Sequence, residues 1–160
     1  MLQFWPDNFE NSNKSSYRIR LTLTDPASSG RISLRSTDAV HMPRINPNML
    51  EAEEDVARLT AGVEKVRSVL GELQIPHLSW PAAASVSNFV TEAVGSSWGY
   101  QGSCRMGNPS DPAAVVDSDC RVIGVEGVRV IDASIIPQPL PAGPLATTVL
   151  IAERMAQKLK

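Results

Sequence analysis

The hydrophobic pattern of the chain changes from a period of two to that of a helix, and this change most limits its possible folds. Residues 17–24 alternate strictly between apolar and polar side chains, which predicts a half-buried β-strand. Residues 25–30 are typical of a turn, because proline fixes φ and glycine permits a positive φ. Residues 31–35 form a second predicted strand, which we expect to pair antiparallel with the first.

The middle of the chain has the pattern of two helices. The first is expected to start near Asn48, with Glu51 as its capping-box partner, and to stop at Gly71. A shorter helix is predicted over residues 85–94. The apolar residues that recur at helical spacing in the first helix are Val56, Leu59, Val63, Val66 and Leu70.

The two ends of the chain differ in pattern. Residues 1–16 are polar after an aromatic pair, which predicts a flexible lead-in. Residues 128–131 are predicted to be a buried strand, and a last helix is expected over residues 146–157. The side chains expected to point inward from that helix are Leu150, Ile151 and Met155. The order strand–strand–helix–helix–strand–helix favours an α+β fold over a doubly wound sheet.

Composition excludes several classes of function. The chain has 160 residues, of which 42% are hydrophobic, and this suffices for one packed core. A formal net charge of −2 argues against a nucleic-acid binder, and no apolar run approaches the roughly 20 residues of a membrane helix. With no pattern of a secretory signal at the start, we expect a cytoplasmic protein. The two cysteines have no metal-ligand spacing, so we expect reduced thiols and no metal site.

Several long motifs in order along the chain carry a resemblance to a known family. The motifs are Gly-Ser-Cys-Arg-Met-Gly over residues 102–107, then residues 115–137, residues 149–156, and upstream residues 25–34 and 43–50. Together they resemble the C-terminal part of the glucose–methanol–choline (GMC) flavin oxidoreductases. The resemblance covers about residues 17–157.

The resemblance implies a fold and a cofactor. The fold would be an antiparallel β-sheet backed by helices over residues 17–160, of which 101–160 return to the flavin domain in the family. Asp132 and Ala133 match residues that lie along the FAD, and the start of the last helix, at Pro144 and Leu145, would point at the flavin ring. A helix N-terminus would stabilise negative charge there.

The part of the family that holds the ADP half of FAD is not recognisable in this sequence. Its Rossmann fingerprint, Gly-x-Gly-x-x-Gly after a strand, is absent, since Gly124 and Gly127 only flank a short turn. We therefore expect no tight FAD binding by this polypeptide alone. A separate FAD-binding chain or a second copy would cover the strand at 128–131 and the last helix.

The resemblance also implies that two catalytic side chains are missing. Gly99 occupies the family's catalytic His position, and Gly143 occupies its second position, an Asn or His. Glycine cannot accept the hydroxyl proton that alcohol oxidation must remove. The polar residues that could substitute are Tyr100, Ser97 and Gln101, although none is a good base at neutral pH. The residues expected to line a substrate pocket are Trp98, Tyr100 and Gln101, with Trp80 as a further aromatic candidate.

Three interpretations remain open on the sequence alone. The chain could be the substrate-side subunit of a FAD-dependent oxidoreductase acting on CH–OH groups. It could be a stand-alone, FAD-free domain that binds a small molecule or acts as a cofactor-independent lyase, isomerase or cyclase. It could also be a fragment of a longer enzyme. Under all three, Asp117, Asp119 and Arg105 are interpreted as structural.

Overall fold

The computed structural model describes residues 2–7, 16–73 and 85–159. The chain divides into two compact units. Unit 1 comprises Met1–Gly30 and Pro47–Gly95, and unit 2 comprises Arg31–Asn46 and Ser96–Lys160. The described elements are antiparallel strand pairs and helices, which confirms the predicted α+β class. No helix within these described ranges is long and apolar enough to cross a membrane.

Unit 1 begins with an antiparallel strand pair. Strand β1 (Leu2–Asp7) pairs with β2 (Ser16–Leu21), and Leu2 lies opposite Leu21. The predicted strand at 17–24 is thus confirmed in position but ends earlier. β1 lies within the predicted flexible lead-in over residues 1–16, so this part of the lead-in is regular. Its backbone groups gain partners on the edge of β2, which explains why a polar, weakly patterned segment is extended there.

Two helices complete unit 1. Helix α1 spans Glu53–Glu72 and helix α2 spans Val86–Ala93. The prediction for α2 is confirmed, including its cap, because the Ser85 side chain accepts a hydrogen bond from the Asn88 N–H at 3.0 Å. β2 packs closely on α1, since a Cβ added to Gly62 would lie 2.7 Å from Leu21 Cδ2.

The predicted start of α1 at Asn48 is wrong. Asn48 has φ 53° and Leu50 has φ 61°, both in the left-handed region, and the residue that precedes the helix is Ala52. The Asn48 side chain instead donates to the Ser29 carbonyl at 3.3 Å. The buried faces of α1 and α2 carry Val66, Leu70 and Val90.

Unit 2 contains a short β-ribbon. Strand β3 (Arg31–Ser33) pairs antiparallel with β4 (Arg44–Asn46), and Ile32 lies opposite Ile45. The prediction that the 31–35 strand pairs with the 17–24 strand is therefore wrong. The chain reverses within the loop at 34–43, where the Asp38 N–H donates to Ser36 Oγ at 3.1 Å and the Val40 N–H donates to Asp38 Oδ1 at 3.0 Å. Such local side-chain bonds favour a turn.

The core of unit 2 lies between an irregular segment and the last helix, α3, which spans Leu145–Lys158. A short 3-10 turn at Ala133–Ile135 packs against α3. The fully buried members of the core are Val116, Cys120, Ile135 and Met155. The predicted inward positions on α3 hold for Met155 and in part for Ile151, but Leu150 is 67% exposed.

The predicted buried strand at 128–131 is not present. Val128 is exposed, whereas Val130 and Ile131 pack against the core. The backbone here bonds to a preceding turn: the Val122 N–H donates to the Val128 carbonyl at 3.0 Å, and the Val130 N–H donates to the Cys120 carbonyl at 3.0 Å. Turns at Gly124 and Gly127, with φ 80° and 76°, reverse the chain too often for a strand to form.

Candidate functional site

Two motifs of the sequence are joined by backbone hydrogen bonds in unit 2. The Cys104 N–H donates to the Ser134 carbonyl at 2.9 Å, and the Met106 N–H donates to the Ile135 carbonyl at 2.8 Å. Gly102, with φ 86°, lies where a Cβ would be 3.3 Å from the Ile136 carbonyl oxygen. The Gly-Ser-Cys-Arg-Met-Gly motif therefore runs along the segment that follows Asp132.

Asp132 fixes the short turn that comes next. Its Oδ1 accepts hydrogen bonds from the Ser134 N–H at 2.8 Å and from the Ser134 hydroxyl. This arrangement caps the 3-10 turn that begins at Ala133. The two residues expected to lie along a flavin are thus held in a defined backbone conformation, with Asp132 exposed and Ala133 half-buried.

The N-terminus of α3 lacks a side-chain cap. Pro144 precedes the helix without a capping hydrogen bond, and the first turn holds no acidic residue. Thr148 closes the turn, because its N–H and its hydroxyl both donate to the Pro144 carbonyl at 2.8 Å. The positive end of the helix dipole is therefore left without a negative side chain of the helix itself, and it suits an anionic group.

The structure brings the two glycine positions to this helix end. A Cβ on Gly99 would lie 3.5 Å from Pro144 Cδ and 3.8 Å from Ser97 Oγ, which are ordinary contact distances. Gly143 immediately precedes Pro144 and has φ 79°, with nothing within 4 Å of an added Cβ. A side chain is therefore sterically allowed at Gly99, whereas the backbone at Gly143 favours glycine.

The polar side chains near Gly99 differ in their surroundings. Tyr100 and Ser97 are exposed. Gln101 Oε1 is buried and has no hydrogen-bond partner among the described residues. None of the three is joined by a printed hydrogen bond to a carboxylate that would strengthen it as a base, within the part of the chain that the structure describes. The structure places them beside the site without giving any of them a catalytic arrangement.

Trp98 has an unusual backbone conformation. Its φ is 61°, its N–H donates to Ser96 Oγ at 2.9 Å, and 86% of its surface is exposed. Sequence reasoning proposed Trp98 as a pocket residue but missed this conformation, because no local signal places tryptophan in the left-handed region. Trp80, the other aromatic candidate, lies outside the described residues.

The acidic residues of the signature region act as structural groups, as predicted. Asp117 Oδ1 accepts from the Asp119 N–H at 2.8 Å and from the Arg121 N–H at 2.9 Å. The Asp119 carboxylate pairs with Lys158 of α3, and the hydrogen bond from Lys158 holds the pKa of Asp119 below its usual value. Arg105 pairs with Asp111, whose pKa is lowered first by the Ala113 N–H and then by Arg105. Among the described residues, no group of three or more His, Cys, Asp or Glu is placed to hold a metal ion.

Comparison with known proteins places this arrangement in a family. The sequence model of the GMC oxidoreductase C-terminal region matches residues 26–152. The chain belongs to the GMC oxidoreductase family, of which it contains the C-terminal domain.

Individual relatives agree with this assignment. The chain is 36% identical to an uncharacterised GMC-type oxidoreductase of Rhodococcus erythropolis over 85% of its own length and 28% of the relative. It is 33% identical to human mitochondrial choline dehydrogenase (93% and 27%) and 28% identical to versicolorin B synthase of Aspergillus parasiticus (91% and 24%). The chain thus spans about a quarter of the length of these curated relatives.

Solved structures show the same fold. Pyridoxine 4-oxidase from Mesorbium loti superposes with a TM-score of 0.78 at 28% identity, over 90% of this chain and 30% of that one. A FAD-dependent oxidoreductase from Chaetomium thermophilum gives 0.70 at 25% identity, over 92% and 26%. The predicted resemblance to the GMC C-terminal domain is therefore confirmed.

Proposed function

We propose that this chain is the substrate-side part of a FAD-dependent oxidoreductase that acts on CH–OH groups. The observation that carries the proposal is the convergence at the N-terminus of α3, where Gly99 lies against Pro144 and the helix end has no side-chain cap. The 3-10 turn capped by Asp132 packs on the same helix. Family membership supports the reaction class.

The residues at this helix end fit a flavin. Asp132 and Ala133 would lie along it, and the N–H groups at the start of α3, next to Pro144 and Leu145, would stabilise negative charge on its ring. FAD, when bound, supplies the acceptor for the hydride that leaves the alcohol carbon. The sequence holds no Gly-x-Gly-x-x-Gly for the ADP half, so we expect FAD to be held mainly by another chain or by another part of a longer polypeptide.

A partner would also cover exposed apolar side chains of α3. Leu145 is 79% exposed, Leu150 is 67% exposed and Val149 is 54% exposed. Leu145 and Val149 are four residues apart, so they share one face of the helix. We propose that the FAD-binding chain covers this face, and that a second copy of this chain is the alternative occupant.

Gly99 provides the sharpest test of the proposal. Because ordinary contact distances surround an added Cβ, Gly99→His should fold and place an imidazole beside Pro144. In the flavin-loaded complex we expect alcohol oxidation to rise about 100-fold, the lower end for a positioned base. Gly95→His is the matched control, since an added Cβ there meets nothing within 4 Å.

The first measurement is the visible absorbance and native mass of the purified protein. A flavin band with a co-purifying chain supports the proposal, and Leu150→Asp should then release that chain while Leu34→Asp, at an equally exposed loop position, should not. A colourless single species, or flavin-loaded Gly99→His with unchanged activity, would contradict it.

The second candidate is a FAD-free domain that binds a small molecule or acts as a cofactor-independent lyase, isomerase or cyclase. Two observations favour it: Gly143 leaves open space where a side chain would otherwise stand, and one relative is named a synthase rather than a dehydrogenase or oxidase. In this case the colourless protein would be folded, and added FAD would not change its thermal stability or its conversion of substrate.

A further inference from the structure

Trp98 combines backbone strain with exposure. A left-handed φ of 61° is unfavourable for a bulky residue, because its Cβ approaches the backbone carbonyl. The Ser96 hydroxyl accepts the Trp98 N–H at 2.9 Å and so helps to hold this conformation. Strained conformations of this kind cluster at ligand-binding and active sites, where they persist because the surrounding structure enforces them.

Packing of the indole does not explain the strain. The side chain is 86% exposed, so burial of its apolar surface contributes little to the stability of the fold. Glycine at this position would adopt the same backbone at lower cost. An exposed aromatic ring in a strained conformation is better explained by a ligand that it contacts than by a role in the core.

The segments around this ring are uncharged. Residues 93–104 and 133–152 contain only side chains without formal charge, and the contact between Gly99 and Pro144 joins these two segments. A charged substrate that lost its water here would need an opposite charge or a strong hydrogen bond. The segments offer hydroxyl, amide and aromatic groups instead, which suit a hydroxyl group on a flat apolar body.

We propose that Trp98 determines specificity at this site by stacking on the ring of an uncharged aromatic alcohol. The substrate class rests on the proposed function, whereas stacking by Trp98 does not require the redox step. The strained backbone presents the indole outward, so fold stability is given up for ligand contact. This separates Trp98 from an ordinary structural aromatic residue, whose removal lowers stability and binding together.

The test compares Trp98→Gly with Trp98→Phe in the purified protein, together with any chain that co-purifies. Relief of the strain should leave the Tm of Trp98→Gly unchanged or raise it by up to about 3 °C. Leu34→Gly is the matched control, because Leu34 is also 86% exposed but has no positive φ, and its Tm should not rise. The probe is benzyl alcohol, titrated by calorimetry, with choline and cyclohexylmethanol for comparison.

The expected result is about tenfold weaker binding of benzyl alcohol by Trp98→Gly, with Trp98→Phe within about threefold of the original chain. A Tm of Trp98→Gly lower by more than about 3 °C would assign Trp98 a structural role and overturn the inference. So would failure of the original chain to bind benzyl alcohol, or choline binding as tightly. Ring binding through Trp98 in a flavin-free protein would support this inference while the proposed oxidoreductase function failed.

Discussion

The two units fix their irregular segments in different ways. In unit 1, a single buried carboxylate, Asp55 of α1, accepts the N–H groups of Ala27 and Ser28, each at 2.8 Å. In unit 2, the irregular segment is held by many backbone hydrogen bonds and by a core in which Val116 and Ile135 are almost fully buried.

The difference teaches where each unit is vulnerable. Unit 1 joins a loop to a helix at one point, where the Ser28 hydroxyl also accepts the Ala52 N–H at 3.0 Å. Asp55 thereby serves residues at both the loop and the helix start. Unit 2 has no comparable polar centre among its described residues, and its stability should depend on apolar packing between the 3-10 turn and α3.

The largest effect is expected from Ile135→Ala in unit 2. Ile135 is 1% exposed and packs in the cluster with Met155, so its truncation should lower the free energy of unfolding by about 4 kcal/mol. Ile32→Ala is the control, because Ile32 is 55% exposed on the β-ribbon and should cost less than about 1 kcal/mol. Equal losses in urea unfolding would show that the core of unit 2 is not where the structure places it.

The next largest effect is expected from Asp55→Ala in unit 1. The change leaves two N–H groups without their acceptor in a buried position, and the free energy of unfolding should fall by about 3 kcal/mol. Glu54→Ala removes an exposed neighbour that lies 3.9 Å from Arg58, and it should cost less than about 0.5 kcal/mol. If the two substitutions were equivalent, Asp55 would not be the polar centre of unit 1.

The pH dependence should separate the carboxylate of Asp55 from apolar packing. Burial raises the pKa of Asp55, but hydrogen bonds from the Ser28 hydroxyl and from the Ala27 and Ser28 N–H groups, with the charge of Arg58, lower it further, so the net pKa lies below its usual value. A group with a lower pKa in the folded state stabilises the fold above its unfolded pKa. That stability is lost as the pH falls through the folded pKa.

The measurement is the free energy of unfolding from pH 6 down to about pH 2.5, for the original chain and for Asp55→Asn. We expect the difference between the two proteins to shrink below about pH 4, where the unfolded carboxyl becomes protonated. This pH-dependent part is smaller than the whole effect of Asp55→Ala. A constant difference over the range would mean that the charge of Asp55 is not involved. Ile135→Ala should show that constant difference.

The same contrast decides how much of the fold the sequence could predict. Helix α2 was correct to its capping Ser85, and α1 was correct in its buried face, because both follow a helical period. The start of α1 was wrong, since a capping box looks the same in sequence whether or not the chain adopts a left-handed conformation at Asn48. The strand at 128–131 was wrong because turns at Gly124 and Gly127 override a short β-branched run.

The candidate site was predictable in composition but not in geometry. The resemblance singled out Gly99 and Gly143, and the structure brings Gly99 to Pro144, a contact between positions 45 residues apart that no local pattern contains. The catalytic role of these positions stays a prediction. The conformation of Trp98 could not be foreseen either, because it is imposed by neighbouring structure against the preference of the residue.

The smallest effect is expected from Asp117→Ala in unit 2. The Asp117 carboxylate accepts two N–H groups of the turn that carries Cys120, which has φ 60°, but unit 2 holds this turn with backbone bonds as well. We therefore expect a loss of about 1 kcal/mol, as for other capping side chains, with Asp117→Asn near half of that. A loss as large as that of Asp55→Ala in the same urea series would remove the contrast between the units, because unit 2 would then also depend on one carboxylate.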